Sequence, residues 1–558
     1  MKVIECVPNF SEGKNQSIID KITYEITLNP NITLLDIDSG IDTNRTVVTF
    51  VGEPEHIIEA AYRSIIKATE LIDLRNHKGT HARMGATDVC PLIPISNVSM
   101  KECINYSKIL AEKITKNLDI PIFLYEESAS HPIRKNLANI RQGEFEGMSD
   151  KIKTSTWIPD YGPHKIHPTA GSIAIGARNF LIAYNINLNS MEKNIASDIA
   201  LDIREKGRNI RDKNGKFIRD ENGKPLKNPG IFKECKAVGW YLDEHNQAQI
   251  SINLTNISIT SPHEVFEECR NQSRKRGVRV TGSEIVGMIP LDAMLQAGKY
   301  FLKKQKKSTG IPENNIIDIA IKSLGLNNLS PFNPMEKIIE YAIKPLYGNL
   351  VSKNIHSFCD ILSSSSPAPG GGSVSALAGA LASSLTAMVA NLTFGKKKWA
   401  DLYDKMCELS QKSQYLKNNL LILIDEDTEA FNQLLRSYKL PRNNKDEISY
   451  RNKKIKQSMK IAANVPFKTL EYCYETIKLA RQVAIHGNPN SISDAGVAGE
   501  IANAGAHGAA LNVYINLNEI KDKRFCKNLN EKTTLLLKVT NQELYSIRKV
   551  VKQKINYE

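Results

Sequence analysis

The sequence contains no C-x-x-C pair, and its nine cysteines are scattered along 558 residues. The odd number argues against a disulfide framework, and the spacing argues against a zinc ribbon. Small buried thiols are the expectation. No apolar run approaches the roughly 20 residues that a membrane-spanning helix needs. The most apolar segment, Val374 to Val389, is largely Ala, Gly and Ser and reads as a tightly packed core helix. The opening MKVIECVPNF has no basic flank ahead of an apolar stretch. It is read as a first strand rather than a secretory signal, which makes the cytoplasm the expected location. Aromatics are scarce, at 7%, and none interleave with a compact basic stripe. Neither nucleic acid nor a membrane is an expected partner.

Charge is plentiful. Lys and Arg outnumber Asp and Glu by 74 to 60, a net +14. The lysines are spread along the chain, as on a solvated surface, although a basic face also concentrates anionic substrates. The length implies several domains.

The order of elements divides the chain. Strand-like runs at Lys2–Val7, Ile32–Ile37, Thr46–Val51, Cys90–Ile95 and Ile120–Tyr125 alternate with helical patterns such as Pro54–Leu71 and Ser99–Leu118. That alternation predicts an α/β subdomain over residues 1–178. A second α/β subdomain is expected over 179–325, opening with FLIAYNINL and a helix Met191–Lys206. Inside it the charged stretch 204–231 carries RDKNGKFIRDENGKPLKN, whose two Asn-Gly pairs predict a surface hairpin. Its acids lack the twelfth-position ligand of a calcium loop. Strands Val238–Leu242 and Gln249–Asn253, a helix Pro262–Lys275 and a strand Gly277–Thr281 follow.

Residues 326–336, with PFNP, read as a linker. Beyond it, over 337–558, strand patterns vanish and an all-α helical bundle is predicted. Its helices are read as Leu377–Leu392, Lys398–Leu435, Asp446–Ala463, Pro466–Ile485, Ser493–Asn516 and Leu529–Ile555. The fold class is therefore multidomain: two α/β subdomains with helix-covered sheets, then a helical bundle.

In the first half, HKGTHARMGATDVCP holds two histidines, two basic residues, an Asp and a Cys within fifteen positions. A histidine in such a loop exchanges protons near neutral pH, and an arginine there can grip a carboxylate. A solvated turn fits the composition equally well. Two more polar clusters fall at strand ends: VPNFSEG with Asn9, and DIDSGIDTNRTVVTFVG with Asp38 and Arg45. Asn9 and Asp38 are also ordinary turn formers, and Arg45 an ordinary surface ion-pair partner.

Together these three blocks resemble the glutamate formimidoyltransferase family. The likeness continues through PDYGPHKIHPTAGSIAIGARNFLIAYNINL and AVGWYLDEHNQAQISINLTN and covers residues 1–325. The resemblance implies His81 as the catalytic histidine, with His77 as its nearby rival. It implies Gly162, Pro163, His164, Lys165, Ile166, His167, Pro168, Thr169, Ala170 and Gly171 as a folate-contacting loop. Asn9, Asp38, Arg45, Arg83 and Arg178 are the candidate substrate-binding residues. Ala82 stands where animal members carry proline. The implied reaction moves a formimino group from N-formimino-L-glutamate to N5 of tetrahydrofolate and needs no metal.

In the second half, SSSSPAPGGGSVSALAGALASSL puts three glycines before a helix. Their exposed N–H groups suit an anion, although a flexible linker fits too, and the lysine of a nucleotide P-loop is missing. LIDEDTEAFNQLL sets Asp425, Asp427 and Glu429 on an apolar helix. Asp425 and Glu429 share a face and Asp427 does not. A buried member of this set would hold its proton more tightly and serve as acid or base. GNPNSISDAG reads as a helix cap. With PRN and GAALNVYINL, these pieces resemble the cyclodeaminase/cyclohydrolase family over roughly 336–518.

In the bifunctional members that join both halves, the second Asp of the D-x-D stretch is catalytic, which is Asp427 here. The implied second reaction releases ammonia from 5-formimino-tetrahydrofolate and closes the 5,10-methenyl ring. Tetrahydrofolate, polyglutamylated, is the implied co-substrate, and the basic charge would retain its polyanionic tail. A ring-like homo-oligomeric octamer is implied as well. Rival expectations are a methenyl-tetrahydrofolate cyclohydrolase in the second half, formyl rather than formimino transfer, and a folate-binding module without catalysis.

Overall fold

The computed structural model describes residues 2–41, 44–79, 82–242, 246–343 and 350–555. It divides into two compact units, Met1–Ala297 with Ile321–Lys344, and Gly298–Ala320 with Pro345–Glu558. The segment 298–320 therefore belongs with the helical unit.

The first unit opens with β1 (Val3–Cys6), β2 (Asn9–Phe10), α1 (Gln16–Thr27), β3 (Ile32–Gly40), β4 (Arg45–Gly52), α2 (Pro54–Leu71) and β5 (Thr87–Ser96). β1 and β2 together lie between β4 and β5, and β3 pairs with the far side of β4, all antiparallel. α3 (Met100–Thr115), β6 (Ile122–Glu126) and β7 (Ile173–Ala177) extend the sheet, with β7 parallel to both β5 and β6. Alternation along the strands sorts the two faces. Ile4, Cys6, Phe50, Cys90, Leu92, Ile173 and Ile175 pack with the three helices. Val89, Phe123, Tyr125 and Ala174 point the other way, under the short helices Leu137–Arg141 and Glu144–Lys151.

The same unit continues with β8 (Ile182–Leu188), α4 (Lys193–Ile203), β9 (Arg208–Asn209), β10 (Lys227–Asn228), β11 (Cys235–Leu242), β12 (Gln247–Leu254), α5 (Pro262–Lys275) and β13 (Val280–Val286). The second sheet runs β11-β12-β8-β13, antiparallel throughout, and α4 packs against it. Both halves of this unit thus follow a β-α-β-β-α-β order with the first strand in the middle and the last at its side. That is the ferredoxin-like arrangement, built twice. The repeat is invisible in the residues, because only strand order carries it.

The charged insertion forms the expected hairpin, with β9 and β10 paired antiparallel as its arms and two further turns between them. Arg211–Ile218 and Arg219–Leu226 form two successive turns with matching bonds: Asp212 accepts from Asn214 and Lys216, and Asp220 from Asn222 and Lys224. Each octet carries its own Asp-x-Asn-Gly turn, so each closes by itself.

The second unit contains α6 (Gly371–Thr393), α7 (Tyr403–Tyr438), α8 (Lys445–His486), α9 (Ile492–Leu517) and α10 (Lys523–Ile555). α6 is packed on α7, α8 and α9, and a core of small residues lets them approach. Two expectations change here. The patterns Asp446–Ala463 and Pro466–Ile485 are one helix, running through a buried Pro466. A proline removes one backbone bond, and burial of its ring among neighbouring helices offsets that loss. Also, α6 is 23 residues long and apolar enough to meet a membrane-span criterion by length and composition. Its window is 61% buried within the protein, as a core helix would be.

One buried acid stands out in the first sheet. Glu5 is 3% exposed, on the strand face of Val3 rather than that of Ile4 and Cys6. Burial pushes its carboxyl from the ordinary 4.5 up to about 7, against the pull of Arg178. Between those two values the folded protein keeps a proton that the unfolded chain releases, so stability falls as pH rises through that window. Glu5→Gln removes the term. Its thermal midpoint is expected to exceed the parent's at pH 8 and to match it near pH 4; a pH-independent difference would contradict this.

Candidate active sites

The three polar clusters of the first half meet around Asn44. Its side chain accepts from Gly13 N–H at 2.9 Å and donates to Lys78 O at 3.0 Å. Ser11 donates to Gly85 O at 2.7 Å, and Thr46 donates to Glu12 O at 2.6 Å. His81 lies outside the described residues. The backbone on either side of its loop is fixed: Leu74 N–H donates to Thr169 O, Ala86 N–H to Ala170 O and Ser172 N–H to Met84 O, each at 2.9 Å.

The loop expected to touch folate, Gly162–Gly171, therefore lies beside the histidine loop. The contact is tight enough to require glycine. A Cβ on Gly85 would fall 2.0 Å from Ser172 O, and one on Gly171, at φ +69°, would fall 2.2 Å from Met84 O. Within the folate loop, His167 and Gly171 exchange backbone bonds, and His167 Nδ1 accepts from Ala170 N–H at 3.0 Å. Burial lowers the affinity of His167 for a second proton. His164 and Lys165 are exposed.

His77 has both ring nitrogens committed. Nε2 donates to Asn44 O at 2.8 Å, and Nδ1 accepts from Arg83 Nε at 3.2 Å. That pairing fixes one neutral tautomer and suits a structural pin better than a proton carrier. Arg83 is also spent. Its guanidinium binds Glu146 through two nitrogens, at 2.8 and 2.6 Å, and Glu144 at 2.9 Å. The expectation that it grips a substrate carboxylate is met here by the chain's own carboxylates. Arg83 O also accepts from Phe145 N–H at 2.9 Å, so the residue clasps the start of the helix Glu144–Lys151.

The other candidates are placed as follows. Asp38 is exposed on β3, opposite Val47 of β4, and acts electrostatically on Arg45. Arg45 is half-buried. Asn9 is 9% exposed and donates to Val7 O at 3.0 Å, closing its own turn. Arg178 follows β7, bonds Asn179 O at 3.0 Å and pulls on the carboxyls of Glu5 and Glu126. Sequence reasoning missed Asp88 and Arg141, whose pairing spans 53 positions. Asp88 is 1% exposed, accepts from Met84 N–H at 2.8 Å and binds Arg141. An acid beside the loop was visible in TDVCP, but nothing local named its partner.

In the second unit the three acids of α7 separate by role. Asp425 accepts from Leu350 N–H at 2.9 Å and Glu429 pairs with Arg436, both as structural fastenings. Asp427 lies instead against the first turn of α6. A Cβ on Gly372 would fall 2.1 Å from its Oδ1, and Ser373 Oγ donates to Oδ2 at 3.3 Å. The helix N-terminus favours a nearby negative charge. Burial nevertheless pushes the Asp427 carboxyl above its ordinary range, against the hydroxyl and N–H of Ser373. A carboxyl so placed can give and take a proton. Gly370 caps the helix, and Gly371 and Gly372 are its first two residues. Among the described residues no group of three His, Cys, Asp or Glu is placed to hold a metal ion.

Because the folded carboxyl of Asp427 is raised, stability from this group falls as pH rises past the ordinary carboxylate range. Asp427→Asn keeps the shape and cannot ionise. We expect it to unfold at a higher temperature than the parent at pH 8, with the gap closing toward pH 4. A less stable variant at pH 8 would show that the carboxylate is a structural anchor.

Comparison with known proteins agrees with the division into parts. The family described as the N-terminal subdomain of the formiminotransferase domain matches residues 3–178, and that described as the formiminotransferase domain matches 183–344. Formiminotransferase-cyclodeaminase matches 354–534. The formimidoyltransferase-cyclodeaminase of Dictyostelium discoideum is 40% identical over 553 residues, 99% of each chain. That of Rattus norvegicus is 39% identical over 539 residues, 96% of each. A methenyltetrahydrofolate cyclohydrolase of Methylorubrum extorquens is 40% identical over 208 residues, 37% of this chain and 99% of its own. Likeness at this level over almost the whole length of both chains places this protein in the formimidoyltransferase-cyclodeaminase family.

Proposed function

We propose that the chain catalyses two successive folate reactions, one in each unit. The first unit transfers the formimino group of N-formimino-L-glutamate to N5 of tetrahydrofolate. The second deaminates and cyclises 5-formimino-tetrahydrofolate to 5,10-methenyl-tetrahydrofolate. The observation that carries this reading is Asp427. It is the one acid of its helix seated on a helix N-terminus with a tightened hold on its proton.

In the first reaction N5 attacks the formimino carbon and a tetrahedral intermediate forms. Breaking the old C–N bond releases glutamate, whose nitrogen must take a proton while N5 loses one. His81 is the acid/base for both transfers, since His77 is tied on both nitrogens. Asp38 balances charge nearby, and Arg45 holds a glutamate carboxylate. Arg83 acts indirectly, by fixing the wall of the cleft. Residues Gly162–Gly171 seat the folate, with Arg178 and Asn9 at the margin of the site.

In the second reaction N10 attacks the formimino carbon, and ammonia departs as the ring closes. Asp427 takes the N10 proton and gives it to the leaving nitrogen. The folate carries a polyglutamate tail, held by the basic surface during transfer, so transfer efficiency should fall with ionic strength. We place the protein in the cytoplasm as a homo-oligomer, ring-like and octameric. A second reading, cyclohydrolase chemistry in the second unit, is favoured by the Methylorubrum relative; ammonia release separates the two.

The test mixes N-formimino-glutamate with tetrahydrofolate and follows methenyl absorbance and ammonia together. His81→Ala is expected to lose at least about 100-fold in transfer, yet still to deaminate supplied 5-formimino-tetrahydrofolate. Asp427→Asn should consume donor without releasing ammonia. Near-normal transfer by the first variant, or undiminished ammonia from the second, overturns the corresponding role.

A further inference from the structure

Asp427 has a neighbour on the same turn of α6 that the deaminase reading has not used. Gly371 and Gly372 open that helix, with Cα atoms about 3.8 Å apart. Asp427 of α7 lies against Gly372. Asn512 of α9 lies against Gly371, where a Cβ would fall 3.2 Å from Nδ2 and 3.8 Å from Oδ1 of its side chain. α9 comes this near because residue 508 is also glycine; a Cβ there would fall 2.4 Å from Ser375 Oγ. Gly371 is exposed, and Asp427 and Asn512 are each half-buried, so a group in solution can reach this turn.

The Asn512 amide has one fixed orientation. Nδ2 donates to Gly508 O at 2.9 Å, one turn back along α9. A backbone carbonyl only accepts, so the atom facing away from it is Oδ1. Oδ1 has no hydrogen-bond partner among the described residues. A half-buried acceptor without a donor is satisfied by an N–H from a ligand. The run GAALNVYINL, which carries Asn512, has no other task in the two reactions.

We infer that Asn512 Oδ1 and the Asp427 carboxylate together hold the leaving nitrogen of 5-formimino-tetrahydrofolate, and that Asn512 is a specificity-determining residue of the deaminase. The inference rests on the deaminase reading above. The protonated formimino group ends in a nitrogen with two N–H bonds. One is donated to Asp427 and the other to Asn512 Oδ1, which turns the formimino carbon toward N10. The N10 lone pair forms the new bond to that carbon, and the C=N π pair moves onto the formimino nitrogen. Asp427 takes the N10 proton and delivers it to that nitrogen. The nitrogen leaves as ammonia with the electrons of its bond to carbon, while the N5 lone pair closes the methenyl C=N bond. A formyl oxygen in the same place has no proton to offer Oδ1, so the acceptor selects formimino over formyl. The methenyl product has no N–H at that carbon either, so Asn512 holds substrate and not product.

The experiment supplies 5-formimino-tetrahydrofolate to two full-length variants and follows ammonia. Asn512→Leu removes the acceptor and strands no buried group, because Gly508 O keeps its partner within the helix. Its kcat/KM for ammonia release is expected to fall about tenfold or more, the worth of one hydrogen bond to a charged group. Inhibition by 5,10-methenyl-tetrahydrofolate and by 5-formyl-tetrahydrofolate should stay within about twofold of the parent, since neither donates to Oδ1. Asn512→Asp adds a negative charge beside Asp427, which makes that carboxylate harder to ionise. The acidic limb of its pH profile for ammonia release should therefore move to higher pH. Equal losses of turnover and of methenyl binding in Asn512→Leu would make Asn512 a structural fastening. Unchanged turnover in Asn512→Leu, or an unmoved acidic limb in Asn512→Asp, would also overturn the inference. If the unmodified chain releases no ammonia at all, the deaminase reading itself falls, and the inference with it.

Discussion

Both sites depend on backbone brought closer than a side chain would allow. In the first unit the histidine loop and the folate loop touch at Gly85 and Gly171, where a Cβ would collide with Ser172 O and Met84 O. In the second, Asp427 sits where the side chain of residue 372 would be. Neither approach contributes much energy by itself. The second sets Asp427 against the first turn of α6, and preorganised dipoles are what stabilise charge developing in a transition state. A methyl group at any of these positions would move one wall of a site by an ångström or more, a displacement costly to catalysis.

In the proposed reactions two unlike scaffolds solve the same chemical problem, proton transfer between a folate nitrogen and a departing nitrogen. The first does it on loops at strand ends, held by a web of short polar contacts: Asn44 to Gly13 and Lys78, Arg83 to Glu146, Asp88 to Met84 and Arg141. The second uses a helical bundle, where burial raises the carboxyls of Asp425 and Asp427 and Asp427 lies against the first turn of α6. The web fixes positions at little cost in core packing, because the first sheet keeps its helices on the opposite face. The bundle has no such spare face. Its small residues, Ala and Gly along α6 and α9, let the helices close around Asp427.

Much of this architecture was legible in local pattern. The helices Pro54–Leu71 and Pro262–Lys275 fall where their periodicity and initial prolines put them. The change from sheet to bundle was equally plain. What local pattern could not carry was pairing over distance. The partner of Arg83, Glu146, lies 63 positions away and is not part of its motif. Arg141 was passed over for the converse reason, since its partner lies in a strand and its own helix is five residues long. The doubled β-α-β-β-α-β order also escaped notice, as the two copies share strand order rather than residues. Among the acids of α7, spacing separated Asp427 from Asp425 and Glu429, and the contact of Asp427 with the first turn of α6 then gave that separation chemical meaning.

The central claim is that two independent sites act in series through a folate that passes from one to the other. The most direct measurement is complementation. Purified His81→Ala and Asp427→Asn proteins, each blocked at one step, are combined with N-formimino-glutamate and tetrahydrofolate. Formation of methenyl-tetrahydrofolate by the mixture, when neither protein forms it alone, is the predicted result. A mixture that stays inactive while each partner retains its own half-reaction would contradict the account.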